Sequence, residues 1–164
     1  MGGNLLDYKR ILIVDDEPDV MDALEELLPT SEVVRASSFS EAKTLLDSEY
    51  FDLAILDIMG VDGYALLEIA RAKNKDVIPV MLTAHALSPE DARKSFEEGA
   101  ASYIPKERLS DISLYLNDIL EAKQKGKSSW SRWFERFGSY MDRKFGPDWK
   151  KDDRQFWSRF GYWE

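Results

Sequence analysis

The chain has 164 residues, 44% of them hydrophobic and 32% charged, a balance that suits a folded globular protein and excludes a disordered one. With no cysteine there is neither a disulfide framework nor a thiolate metal site, and no apolar run is long enough to span a bilayer. The formal net charge of -9 is unevenly spread: residues 1–126 hold 13 Lys and Arg against 25 Asp and Glu, whereas residues 127–164 hold 9 against 6. An acidic body repels phosphate backbones, which argues against non-specific nucleic-acid binding by the first part. Met1-Gly2-Gly3-Asn4 leads into charged residues without a signal-peptide pattern, so a cytoplasmic location is expected.

In chain order, the first apolar run is Ile11-Leu12-Ile13-Val14, which ends in Asp15, Asp16 and Glu17. A helix is predicted over 19–28, with Val20, Ala23, Leu24, Leu27 and Leu28 on one face and Pro29 stopping it. A strand over 33–36 precedes a helix over 40–48, whose Ser40-Glu41-Ala42-Lys43 start loosely matches a capping box. Next comes Leu53-Ala54-Ile55-Leu56, closed by Asp57, and a helix over 63–74 carrying Leu66, Leu67, Ile69 and Ala70. The fourth run, Val80-Met81-Leu82, ends at Thr83. Ser88-Pro89-Glu90-Asp91 then combines a cap, a first-turn proline and acids that complement the helix dipole. A last strand over 102–104 leads through Pro105 to Lys106, and a helix over 110–125 sets Ile112, Leu116, Ile119 and Leu120 on one face.

Five strand–helix repeats predict an α/β fold in which helices cover both faces of a parallel sheet. Such sheets bind ligands beyond the carboxyl ends of their strands, where Asp15, Asp16, Asp57, Thr83 and Lys106 all fall. Acids contribute little to a core and are costly to desolvate, so their convergence at strand ends points to a cation site. His85, the only histidine, follows closely on Thr83 and is read as tuning access to this site, not as performing chemistry.

Over about residues 8–125, these motifs resemble the receiver domain of two-component response regulators. The matching elements are Ile-Leu-Ile-Val-Asp15-Asp16-Glu17-Pro18, Leu-Ala-Ile-Leu-Asp57 with Asp62-Gly63, Met-Leu-Thr83-Ala84 and Tyr103-Ile104-Pro105-Lys106. The resemblance implies a doubly wound, flavodoxin-like parallel sheet in the strand order 2-1-3-4-5, and a signalling module rather than an enzyme. It implies that Asp57 accepts a phosphoryl group from the phosphohistidine of a sensor histidine kinase or a histidine phosphotransfer protein. Asp16, Asp57 and the Met59 carbonyl would hold Mg²⁺, with Asp15 assisting through water. Lys106 would pair with the phosphoryl oxygens, Thr83 would hydrogen-bond one of them, and small Ala84 would leave room. Thr83 and Tyr103 match the family's switch pair, which reorganises the surface of the fourth helix, fifth strand and fifth helix. Two features depart from the family pattern: the loop from Asp57 to Gly63 is shorter than usual, and proline precedes Lys106 instead of following it. A phosphorylation-independent adaptor and a flavodoxin-like nucleotide binder or hydrolase remain as alternatives, although no Gly-rich loop follows Val14.

The aromatic residues mark a second module. All five tryptophans (Trp130, Trp133, Trp149, Trp157, Trp163) and 12 of the 20 aromatics lie beyond residue 126. We therefore divide the chain at Gly126-Lys127-Ser128-Ser129 into a receiver, 1–126, and an aromatic-rich helical hairpin, 127–164. Trp130, Trp133, Phe134, Phe137, Met141 and Phe145 recur at helical spacing, Gly146-Pro147-Asp148 stops that helix, and Trp149, Phe156, Trp157, Phe160 and Trp163 follow on a second. Two short helices cannot bury this much aromatic surface between themselves. Trp130, Trp133, Phe134, Phe137, Trp149 and Trp157 are thus expected at an interface with the receiver, a second copy in a homodimer or a downstream protein. The segment is too short for a winged helix, and its small positive charge makes a membrane-surface role the lesser use of its Trp and Arg.

Overall fold

The computed structural model describes residues 4–73, 76–84, 88–151 and 154–158. His85, Phe160 and Trp163 lie outside the described residues, as does Asn74, the expected end of the third helix. Five strands, β1 (Arg10–Val14), β2 (Glu32–Ala36), β3 (Leu53–Asp57), β4 (Ile78–Thr83) and β5 (Ser102–Pro105), form one sheet in the order β2-β1-β3-β4-β5. Every pairing is parallel. The helices are α1 (Pro18–Leu27), α2 (Phe39–Ser48), α3 (Gly63–Lys73), α4 (Pro89–Glu97), α5 (Ile112–Gln124), α6 (Ser129–Phe145) and α7 (Arg154–Ser158), with a 3₁₀ segment, Lys106–Asp111, ahead of α5.

Continuous aliphatic runs make the central strands because helices cover both faces of the sheet and leave no solvated side. Ile11 to Val14 and Leu53 to Leu56 are accordingly buried without alternation. The register sets Val14 beside Ala36 and Leu56, Asp57 beside Leu82, and Thr83 beside Pro105. All the strand ends that carry polar residues therefore open on one rim.

Several element starts differ from expectation for local reasons. Helix α1 begins at Pro18, whose fixed φ suits the first helical position. Helix α2 is capped by Ser38, not Ser40: the Glu41 amide donates to the Ser38 hydroxyl at 3.1 Å, and Glu41 accepts from the Ser37 amide. The expected start of α5 at residue 110 is taken by the 3₁₀ segment, and regular helix begins at Ile112.

Among the described residues, the second tail helix is Arg154–Ser158, and the segment around Trp149 is a turn in which the Trp149 amide donates to the Gly146 carbonyl at 3.2 Å. Gly146 enters this turn at φ 82° and ψ 159°, a region essentially restricted to glycine.

Helix α6 packs on the tail segment that follows it, Trp133 and Phe134 meeting Trp157 at 6.4 and 5.3 Å, but it is not closed on that segment alone. It buries Trp130, Trp133, Phe134, Phe137, Tyr140 and Met141, and its aromatic surplus is taken up by the receiver of the same chain. Phe96 of α4 meets the rings of Trp130 and Phe156 edge-on at 5.6 and 5.3 Å, and Tyr115 of α5 packs on Phe137 at 5.0 Å. All six residues expected at an interface thus lie in one intramolecular cluster, extended through Trp149 and Trp157, whose ring centroids are 5.1 Å apart.

Helix α6 also covers the edge strand β5, and the two residues leading into it, with side-chain donors. Trp130 Nε1 donates to the Ala100 carbonyl at 2.9 Å, Ser129 Oγ to Ala101 at 2.7 Å and Trp133 Nε1 to Tyr103 at 2.8 Å. Unpaired edge carbonyls that would otherwise face water or another strand are thereby satisfied.

Candidate functional site

The rim above β1, β3, β4 and β5 brings Asp15, Asp57, Thr83 and Lys106 together. Asp15, Asp57 and Thr83 are nearly fully buried, at 1%, 3% and 3% exposure. Lys106, the first residue after β5, reaches back across the rim. Its Nζ stands 2.8 Å from Asp15 Oδ2, 3.2 Å from Asp57 Oδ1 and 2.7 Å from Glu17 Oε1. Burial alone would lower the pKa of this ammonium, but its carboxylate partners outweigh burial and raise it above the ordinary lysine value.

Asp15 is under the opposite strain. Burial pushes its pKa up, and Lys106 and the Glu17 amide, which donates to Oδ1 at 2.9 Å, hold it down only in part. At Asp15 Oδ2 the Lys106 ammonium, 2.8 Å away, is the facing charge.

The turn after β3 supplies the other wall. Gly60 N–H donates to Asp57 Oδ2 at 2.9 Å and fixes the carboxylate plane. A Cβ on residue 60 would stand 2.3 Å from Asp16 Oδ1 and 2.7 Å from Asp57 Oδ2, so only glycine leaves the space between these two acids open. The shortened loop still closes, because the Gly63 amide returns to the Ile58 carbonyl at 3.1 Å and Asp62 takes a left-handed φ of 56°. Asp tolerates that conformation better than most residues. The Met59 side chain points outward, at 67% exposure.

These features suit a hard divalent cation. Carboxylate oxygens of Asp15, Asp16 and Glu17 lie within 4.8 Å of one another, and the Gly60 gap separates Asp16 from Asp57.

Behind the rim, Tyr103 is completely buried. Its phenol points to Asp91 Oδ2 at 3.5 Å and also meets the Thr83 hydroxyl and the main chain of Ser88. Burial, reinforced by Asp91, raises its pKa well above the ordinary phenol value. The expected switch residues are therefore neighbours, with the tyrosine turned inward.

The comparisons with known proteins agree with this geometry. Residues 11–116 match the family model described as the response regulator receiver domain, and the chain belongs to that family. Among curated relatives, a probable transcriptional regulator, ycf27, of Cyanophora paradoxa is 36% identical over 105 residues, covering 62% of this chain and 43% of the relative. The transcriptional activator protein PfeR of Pseudomonas aeruginosa is 35% identical over 101 residues, covering 59% and 32%. The chain thus spans less than half the length of either relative.

Among solved structures, a CheY-like receiver domain protein from Methanospirillum hungatei is 30% identical with a TM-score of 0.65, covering 73% of this chain and 99% of that one. A LuxR-family response regulator from Aurantimonas sp. is 27% identical with a TM-score of 0.61, covering 74% and 89%. Receiver domains are signalling modules, not enzymes of metabolic turnover. Among the described residues, no helix is long and apolar enough to cross a membrane.

Three contributors were not singled out from sequence. Glu17 stands there only as part of the acidic motif after the first apolar run, yet it is the third carboxylate on Lys106. Gly60 looks like an ordinary turn residue, and only the close approach of two acids reveals its role. Asp118 looks like a solvated position on α5, but α6 covers it and both Arg132 and Arg136 clamp it. The sequence does place those two arginines one helical turn apart, where both can reach a single partner.

Proposed function

We propose that this chain accepts a phosphoryl group on Asp57 from the phosphohistidine of a sensor histidine kinase or histidine phosphotransfer protein, and signals through protein–protein contacts in the cytoplasm. The observation that carries this reading is the setting of the Asp57 carboxylate: buried at a strand end, oriented by the Gly60 amide and faced by the Lys106 ammonium. In the transfer, a carboxylate oxygen forms a bond to phosphorus as the phosphorus–nitrogen bond to the donor imidazole breaks, and the leaving nitrogen keeps the electron pair. Gly60 N–H holds the nucleophile in one plane, which favours in-line attack. Lys106 is placed to balance charge on the phosphoryl oxygens, and Thr83 to donate a hydrogen bond to one of them. Asp16, Asp57 and the Met59 carbonyl, helped by Asp15, would hold Mg²⁺. The ion would neutralise charge on the transferring group.

The test is to expose the chain to acetyl phosphate with Mg²⁺ and measure intact mass. The expected result is one added phosphoryl group, absent in Asp57→Asn. A parent protein that gains no mass overturns the reading in favour of a phosphorylation-independent adaptor.

A further inference from the structure

We infer that helix α6 is a built-in cover whose seating depends on the state of the phosphorylation site, and that a phosphoryl group on Asp57 loosens it from the β5 edge. The inference rests on the reading of Asp57 as phosphoacceptor and adds what that event controls.

Two residues join the site to the cover. Tyr103 is the first: its phenol lies beside Thr83 and Asp91, while its main-chain carbonyl accepts the Trp133 indole N–H at 2.8 Å. Glu107 is the second. It follows Lys106 directly in the chain, and its carboxylate accepts a hydrogen bond from the Tyr140 hydroxyl of α6. The middle and the later part of α6 are therefore bonded to the residues that flank the phosphoacceptor's partners.

Phosphorylation exchanges the single negative charge of the Asp57 carboxylate for the roughly one and a half to two of a phosphoryl group, and adds several strong acceptor oxygens. Lys106 is at present shared among Asp15, Glu17 and Asp57. New charge-assisted bonds draw its ammonium, and the Thr83 hydroxyl, toward the phosphoryl oxygens. Thr83 then leaves the Tyr103 phenol, and the chain at Lys106–Glu107 follows its side chain. Both moves disturb the acceptors on which Trp133 and Tyr140 rely.

The start of α6 is held differently, by Ser129 and Trp130 on Ala101 and Ala100 and by Arg132 and Arg136 on Asp118. None of these groups touches the site. Loosening is thus uneven along the helix, strongest at the two groups bonded next to the site, Trp133 and Tyr140, and resisted at Arg136. Release there uncovers the Tyr103 carbonyl and the aromatic face that sealed it, a surface able to pair with another chain.

Hydrogen exchange on the full chain tests this, read with intact mass on the same samples before and after acetyl phosphate and Mg²⁺. The expected result is exchange in α6 faster by about tenfold or more in the phosphorylated protein, within the range of coupled sites, and unchanged in Asp57→Asn under the same treatment. Coupling is reciprocal. Trp133→Phe and Tyr140→Phe, which remove one donor each from the cover, are therefore expected to raise the phosphorylated fraction at a fixed donor concentration. Mass gain with no change in α6 overturns the inference and leaves Asp57 as phosphoacceptor; absence of mass gain overturns both.

Discussion

The two edges of the sheet are protected by different physics. At β2, charge does the work: Arg35 bridges to Asp22 and Glu25 at 2.8 and 2.7 Å, and Arg10 of β1 pairs with Glu32 at 2.9 Å. These pairs stay in solvent and are screened by salt, so they discourage a second strand without fixing anything in place. At β5, an amphipathic helix lays buried indoles along the strand and donates hydrogen bonds to the carbonyls of Tyr103 and of Ala100 just before it. The first edge is merely unattractive to neighbours, whereas the second is occupied. An occupied edge is one that can be vacated, and it is the edge that adjoins Lys106 and Tyr103.

That contrast can be broken most strongly at Trp133. Trp133→Ala removes a ring that is 2% exposed together with the bond to Tyr103, at an expected cost of about 3–5 kcal/mol. Denaturant unfolding checks this, either as a lower midpoint or as a separate early transition if the extension detaches before the receiver unfolds. A smaller effect is expected from Asp118→Asn. Asp118 is 8% exposed and accepts from Arg132 and Arg136 at 2.8–3.2 Å, but the arginine side chains are 34% and 37% exposed. Solvent screening reduces the cost to about 1 kcal/mol, and the gap from the parent should narrow as salt is raised. The smallest effect belongs to the other edge: Arg35→Ala should leave the unfolding midpoint and α6 exchange unchanged. A large loss there would erase the distinction between the edges.

The receiver was legible in the sequence because its signals are local. Apolar runs such as Leu53-Ala54-Ile55-Leu56 are buried on both sides of the sheet, and the polar residue that ends each run is carried to the same rim by parallel pairing alone. Asp57, Thr83 and Lys106 could therefore be placed without knowing a single side-chain contact. What escaped depends on long-range approach. The need for Gly60 arises where the Asp16 and Asp57 carboxylates converge, and the role of Glu17 arises from a lysine 89 residues away in sequence. The tail was harder for the same reason. Its spacing announced an aromatic helical face, but whether that face meets α4 and α5, a second copy or a foreign protein is decided by shape and by edge carbonyls that no periodicity records. Trp149, which looks like part of the second helical stripe, instead lies in a turn and donates its indole N–H back to Asp142 at 2.8 Å.

The placement of the tryptophans also has an optical consequence. The receiver portion contains none, so every indole signal of this chain originates in the extension. Trp133 and Trp157 are stacked at 6.4 Å, and Trp149 meets Trp157 nearly at right angles, at 71°. Transition dipoles this close couple, and the near-ultraviolet circular dichroism of the protein becomes a measure of how intact that cluster is. The molecule carries its own spectroscopic gauge, dark over the receiver and bright only in the extension that packs on it.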